Sequence, residues 1–274
     1  MPIRFTKKPG LVAYLTVGDP DLATTREIAL AAIDNGADVL ELGVPFSDPL
    51  ADGPVIQRAS ERSVARGTRL TDVLALTREI RAARPSAGLV IFSYLNPVVR
   101  LGLPEFTRQA AEAGADGCLL TDMIVEEAGE YLELMGQHDL SPVFLAAPTS
   151  PDERLKAIAE ASRGFVYAIS RVGITGTQQQ LASEAEGLVQ RIKRYTDQPV
   201  AVGFGVSTAA HVQAVGKFAD AAIVGSAIVQ LIEKTPATEA AAAVGRFIAE
   251  LTGKADGDSA GAAPVVEVVP GPSR

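Results

Sequence analysis

Eight short, almost uninterrupted apolar runs recur along the chain, each followed by a Gly- or Asp-bearing break and then an amphipathic stretch with helical spacing. The runs are LVAYLT (11–16), ADVLEL (37–42), GLVIFS (88–93), GCLLTD (117–122), SPVFLA (141–146), GFVYAIS (164–170), PVAVGF (199–204) and DAAIVG (220–225). Strands with one wet face alternate apolar and polar residues, whereas strands covered on both faces read as continuous apolar runs. Strand and helix patterns in alternation predict βα units and a parallel sheet. Eight such units in about 250 residues predict an α/β fold, a single-domain TIM (β/α)8 barrel. A doubly wound open sheet is the competing architecture, but it more often uses fewer strands, and no G-x-G-x-x-G follows the first run.

The helical stretches have readable ends. Asp21 stands as an N-cap before LATTREIALAAID, and Asn35-Gly36 as its stop. Thr71 is the expected start of DVLALTREIRAARP, which Pro85 closes, and Pro104, Val125 and Pro151 open the next three helices. Residues 183–195, 227–234 and 238–251 supply the last ones. The stretch from Glu41 to Pro54 passes from strand into loop without a helix. The barrel domain is expected over residues 1–252. Beyond it, residues 253–274 are rich in Gly, Ala, Ser and Pro and read as a disordered tail.

Composition narrows the function classes. A net charge of −8 with no basic stripe argues against nucleic acid or an anionic membrane as the main partner. No apolar run approaches the roughly 18 residues of a membrane span, and the start lacks the apolar core of a secretory signal, so a cytoplasmic location is expected. Cys118 is the single cysteine, which excludes an internal disulfide, and inside GCLLTD it reads as a buried strand thiol. With only His138 and His211 beside it, a thiolate–imidazole metal site is not expected.

In a TIM barrel the chemistry sits at the C-terminal ends of the strands. The second run ends at Glu41 and continues as ELGVPFSDPLADGP, which adds Asp48 and Asp52. A strand-end carboxylate with two more in the following loop suits proton transfer, although Asp-Pro and Asp-Gly are also turn formers. The sixth run carries Tyr167 into SRVGITGTQQQ, a glycine-hinged polar loop that is either a lid or a plain connector. The seventh and eighth runs end in GFGVST and VGSAIVQL. Glycine lets a backbone approach an anion, and a helix start offers free N–H groups, so Gly205, Gly225 and Ser226, with Gly176, form a candidate phosphate cradle. Gly-Ser before a helix is also a routine cap. No strand ends in lysine, which disfavours a Schiff-base aldolase and leaves carboxylate proton transfer on a small phosphorylated substrate.

These residues resemble the tryptophan synthase alpha subunit family. ELGVPFSDPLADGP is specific to it, and LTVGDP (15–20), YLNPV (94–98), SRVGITG (170–176), GFGVS (203–207) and VGSAIV (224–229) follow in the family's order and spacing. The resemblance spans about Leu11 to Leu251. It implies retro-aldol cleavage of indole-3-glycerol phosphate to indole and glyceraldehyde 3-phosphate without a cofactor of the chain's own. It also implies an α2β2 heterotetramer with a beta subunit that carries pyridoxal phosphate. On this resemblance Glu41 matches the general acid/base, Asp52 the carboxylate facing the indole N–H, and Tyr167 a tyrosine beside the catalytic carboxylate. Thr175 matches the lid residue, and Gly176, Gly205, Gly225 and Ser226 the phosphate ligands. Phe92, Tyr94, Leu119, Leu145 and Phe204 fall where the family's indole pocket is lined. Two features depart from the pattern. Only ten residues precede the first run, too few for the helix that usually covers the barrel bottom, and Ile124 stands where the family generally has proline in a partner-facing loop. A phosphoribosyl isomerase of the same fold, or a barrel that mainly activates a partner, are the alternatives; substrate and isolated-chain activity distinguish them.

Overall fold

The computed structural model describes residues 3–169, 178–203 and 205–254, without the side chains of 178–182. The expectations at Thr175, Gly176 and Phe204, and nearly all of the 253–274 tail, therefore lie outside the described residues. The strands are β1 (Gly10–Thr16), β2 (Val39–Gly43), β3 (Gly88–Ser93), β4 (Gly117–Leu120), β5 (Ser141–Val143), β6 (Leu145–Ala146), β7 (Val166–Ile169), β8 (Val200–Gly203) and β9 (Ala221–Val224). All pairs are parallel, in the order β5-β4-β3-β2-β1-β9-β8-β7-β6. The expected fifth strand is thus two short ones broken at Phe144. Its first half pairs with β4 and its second with β7, so this one segment closes the ring.

The helices are α1 (Leu22–Asp34), α2 (Pro54–Ala65), α3 (Leu70–Ala83), α4 (Leu95–Leu101), α5 (Leu103–Glu112), α6 (Gly129–Gln137), α7 (Asp152–Ala161), α8 (Gln178–Ile192), α9 (Ala209–Gly216), α10 (Ser226–Lys234) and α11 (Ala237–Thr252). Asp21 caps α1 by accepting from Thr24 N at 2.7 Å, and Asn35 and Gly36 end it as expected. Thr71 does not start α3. The helix begins one residue earlier, and its first turn is held by Asp72, whose carboxylate accepts from Arg69 N at 2.8 Å. Val125 opens a single 3₁₀ turn (Val125–Glu127) that leads into α6. Neither α2 nor α4 was anticipated. The buried face of α2 is Ala59, Ser60 and Ser63, which leaves no large apolar stripe to read.

Side chains divide between two layers. Those pointing out of the strands join the helices in the main core. Those pointing inward, including Val12, Val39, Val90, Leu119, Val143, Ala201 and Ala221, fill the barrel interior. The short N-terminal lead covers the bottom without a helix. Ile3 is buried against this interior cluster, and the Phe5 ring meets Phe165 edge-on with centroids 6.0 Å apart. Burying one such side chain is worth about 1.5–3 kcal/mol. Thr6 N then bonds Asp38 Oδ1 at 3.0 Å and fixes the lead to the start of β2.

Candidate active site

Alternation along β2 places Glu41 on the same face as Val39, inside the barrel and one layer nearer the C-terminal mouth. Its cross-strand partners are Tyr14 on β1 and Val90 on β3. Glu41 is fully buried, and neither carboxylate oxygen has a hydrogen-bond partner among the described residues. A buried carboxylate without partners favours its neutral form. Burial accordingly pushes its pKa up to about 8, which keeps the acid protonated at neutral pH.

Asp52 lies in the loop between β2 and α2, two residues before the helix starts. Its Oδ2 accepts the Tyr94 hydroxyl at 3.0 Å, and that hydroxyl oxygen accepts Ala51 N at 2.9 Å. Asp52 N donates to Pro49 O at 3.0 Å, and Gln57 Nε2 donates to Asp52 O at 2.8 Å. Burial raises the Asp52 pKa to about 6, against the opposing pull of the Tyr94 bond. At neutral pH Asp52 is therefore mostly ionised while Glu41 is mostly protonated. Two carboxylates whose surroundings drive their pKa values apart are suited to divided acid and charge-stabilising roles. Asp48 is exposed and its carbonyl accepts Leu50 N, as in an ordinary turn.

Three tyrosines surround these acids. Tyr167 is displaced above its ordinary pKa by burial and then by the charges of Glu41 and Asp52, which puts its hydroxyl in their field. Tyr94, expected as an indole-pocket residue, reaches Asp52 through its hydroxyl, and its ring lies 5.2 Å from that of Phe46. Tyr14 was not singled out from the sequence. It is buried, its ring packs edge-on against Phe92 at 5.1 Å, and Thr16 Oγ1 donates to its hydroxyl at 3.4 Å. Burial, then Asp52, raise its pKa. The only signal for it was its place in the strand, two residues beyond inward-facing Val12. Two strand-end glycines make room for these hydroxyls: a Cβ on Gly43 would lie 2.3 Å from Tyr14 Oη, and one on Gly203 2.9 Å from Tyr167 Oη.

The remaining expected residues fall around this centre. Phe92 pairs with Leu119 across β3 and β4, Leu145 pairs with Tyr167 across β6 and β7, and all four border the barrel interior. Gly225 caps α10 and Ser226 is its first residue, so the free N–H groups of that helix start lie just past β9. A Cβ on Gly225 would lie 3.5 Å from Tyr14 Cβ, which sets this helix start beside the strand that faces Glu41. Gly205 follows β8 with a φ of +44°, a conformation that favours glycine. Among the described residues no three His, Cys, Asp or Glu side chains are grouped to hold a metal ion. No helix among them is long and apolar enough to cross a membrane.

Residues 3–255 match the tryptophan synthase alpha chain family along nearly the whole barrel. The chain belongs to that family. The tryptophan synthase alpha chain of Solibacter usitatus is 50% identical over 227 residues, covering 83% of this chain and 85% of its own length. That of Burkholderia lata is 45% identical over 250 residues, covering 91% and 92%. Among solved structures, the tryptophan synthase α2β2 complex of Pyrococcus furiosus contains a chain that superposes with a TM-score of 0.84 at 40% identity, covering 90% of this chain and 99% of that one. A chain of Mycobacterium tuberculosis tryptophan synthase gives 0.82 at 40% identity, covering 90% and 92%. The tryptophan synthase alpha chain fold thus extends over the whole described barrel, including the bottom that the short lead closes.

Proposed function

We propose that Glu41 and Asp52 carry the proton chemistry by which this chain, as a tryptophan synthase alpha chain, cleaves indole-3-glycerol phosphate to indole and glyceraldehyde 3-phosphate in tryptophan biosynthesis. The observation that carries the residue assignment is a fully buried Glu41, unpartnered among the described residues and opposite Tyr14 on the adjacent strand, with Asp52 acting on the same Tyr14 and Tyr167 hydroxyls. Protonated Glu41 delivers its proton to indole C3, and positive charge develops at the ring N–H. Asp52, ionised and held by Tyr94, faces that charge and stabilises it. Glu41, now a carboxylate, takes the proton of the side-chain hydroxyl as the carbon–carbon bond breaks. The bonding pair returns to the ring to give indole, and the former alcohol carbon becomes the aldehyde. Glu41 gives one proton and receives one, so the chain ends as it began. Tyr167 borders the same interior. Gly225 and Ser226 at the start of α10, with Gly205 in the loop after β8, hold the phosphate, while Phe92, Leu119 and Leu145 flank the indole. Gly176, Thr175 and Phe204 keep the roles that the resemblance implies on sequence position alone.

The partner is the beta subunit in an α2β2 complex. Leu50, Val99 and Ile124 are 82%, 57% and 45% exposed and follow β2, β3 and β4, three neighbouring strands, so they line one side of the barrel mouth. Apolar side chains grouped at the surface mark a contact face. Pyridoxal phosphate belongs to the beta subunit, and the alpha reaction proceeds by side-chain acid–base chemistry in a cytoplasmic enzyme. Indole release from indole-3-glycerol phosphate by the purified chain, alone and with beta subunit, tests the reading. Loss of release in Glu41→Gln and Asp52→Asn with retained folding supports the assignment, and normal turnover in both removes it.

A further inference from the structure

One guanidinium ties together three connections that carry the site. Arg62, on α2, donates from Nε to Asp19 Oδ1 at 2.9 Å and from Nη2 to Asp19 Oδ2 at 2.7 Å. Its Nη1 donates to Glu233 Oε1 at 2.7 Å. Asp19 belongs to the loop after β1 and is only 4% exposed, while Glu233 lies in the last turn of α10. Arg58, one turn earlier on α2, reaches Glu233 at 2.9 and 2.7 Å and Pro54 O of its own helix at 3.3 Å, with no bond to Asp19. Ser63 adds a second link to the β1 loop by donating to Val17 O at 2.6 Å.

These contacts are placed where spacing matters. β2, β1 and β9 are consecutive in the barrel. The connections after them contain Asp52 with α2, Asp19, and Gly225 with Ser226 at the head of α10. We propose that Arg62 is a positioning residue for the cleavage reaction: by spanning Asp19 and Glu233 it sets the distance between the Asp52 loop and the phosphate-holding start of α10. An exposed ion pair would hold this geometry weakly. A fork-to-fork pair on a buried carboxylate is directional, and removing one member leaves the other charge uncompensated. Arg58 lacks that anchor, so the two arginines of one helix differ in what they control.

The inference rests on the proposed function, and its test separates the two. Full-length wild type, Arg62→Met, Arg62→Lys, Arg58→Met and Glu233→Gln are compared for indole release, for inhibition by inorganic phosphate, and for amide exchange at Ala51 and Asp52. Arg62→Met is expected to lower kcat on the order of 10–100-fold, as displacement of a reacting group by about 1 Å does. Inhibition by phosphate should change little, because α10 itself is intact, while exchange at Ala51 and Asp52 accelerates. Arg62→Lys recovers only part of the loss, since one ammonium does not bridge both carboxylates. Glu233→Gln keeps the buried Asp19–Arg62 pair, so it folds, and shows a smaller loss of the same kind. Arg58→Met stays near wild type. A purely structural Arg62 would instead lower the melting temperature with uniform acceleration of exchange and an unchanged kcat per folded molecule, which overturns the proposal. Unchanged exchange at Ala51 and Asp52 in Arg62→Met overturns it even if wild type releases no indole, an outcome that would separately remove the proposed function.

Discussion

The two ends of this barrel use the same functional group in opposite ways. At the bottom, Asp38, Asp116 and Asp220 stand just before β2, β4 and β9, and each accepts a main-chain N–H near the start of a neighbouring strand: Leu11 N at 2.9 Å, Leu89 N at 2.8 Å and Val200 N at 2.9 Å. Cations complete two of them, Arg81 on Asp116 at 2.6 Å and Lys193 on Asp220 at 2.6 Å. Burial alone would raise the Asp220 pKa, but the Lys193 and Val200 bonds outweigh it and leave it lowered. At the mouth, Glu41 has no partner for either oxygen among the described residues. Satisfied carboxylates act as ties for parallel strands, whereas the unsatisfied one is, on the proposed function, left for the substrate. The difference lies in which end of the strand carries the acid, in line with stability at the bottom of such barrels and chemistry at the top.

The comparison breaks first at Glu41. Glu41→Gln should lower indole release by roughly 10⁴-fold, the upper range for a lost general acid–base group, while urea unfolding shows no loss of stability. Asp116→Ala should do the reverse. Removing the partner of Arg81 and Leu89 N costs about 3–5 kcal/mol in urea unfolding, with kcat of the folded fraction unchanged; a large loss of kcat instead would erase the division between the ends.

The third effect is a pH dependence of stability. An acid whose folded pKa is raised to about 8 binds more protons in the folded than in the unfolded state between its ordinary value of 4.5 and 8, so stability falls as pH rises through that window. Wild type should lose stability relative to Glu41→Gln from pH 5 to pH 8.5, by an amount on the order of a few kcal/mol. Parallel melting curves for the two proteins would contradict a charged, orphaned Glu41. The smallest effect is at Tyr94. With Asp52 required ionised and Glu41 protonated, kcat/KM should follow a bell with limbs near about 6 and about 8. Tyr94→Phe removes the bond that pulls the Asp52 pKa down, so the acid limb moves to higher pH and the maximum falls by about tenfold, the effect of a hydrogen bond to a charged group. An acid limb that stays in place would detach it from Asp52.

Much of this architecture was legible because burial on both faces writes a strand as an unbroken apolar run. The break at Phe144 was not, since it arises from closing the ring and not from any residue preference. Helix α2 escaped notice because Ala59, Ser60 and Ser63 fill a tight space without an apolar stripe. The closure of the bottom by Ile3 and Phe5 also needed the third dimension, because two apolar residues in a short lead carry no period. In the site, Glu41 and Asp52 stood out through position and motif. Tyr14 did not, because a tyrosine inside an apolar run looks like core until the register sets it opposite Glu41. The hydroxyl bond from Tyr94 to Asp52 crosses 42 positions of chain, and only its motif was visible.

Ring closure has a consequence for how the chain comes into being. β1 pairs with β2 within a few dozen residues, but its other edge, Gly10 to Ala13, waits for Ala221 to Val224. During synthesis that edge stays open until almost the whole barrel has left the ribosome, and an unpaired strand edge is a template for wrong pairing. The nascent half-barrel is therefore the stage at which this chain is most open to wrong strand pairing.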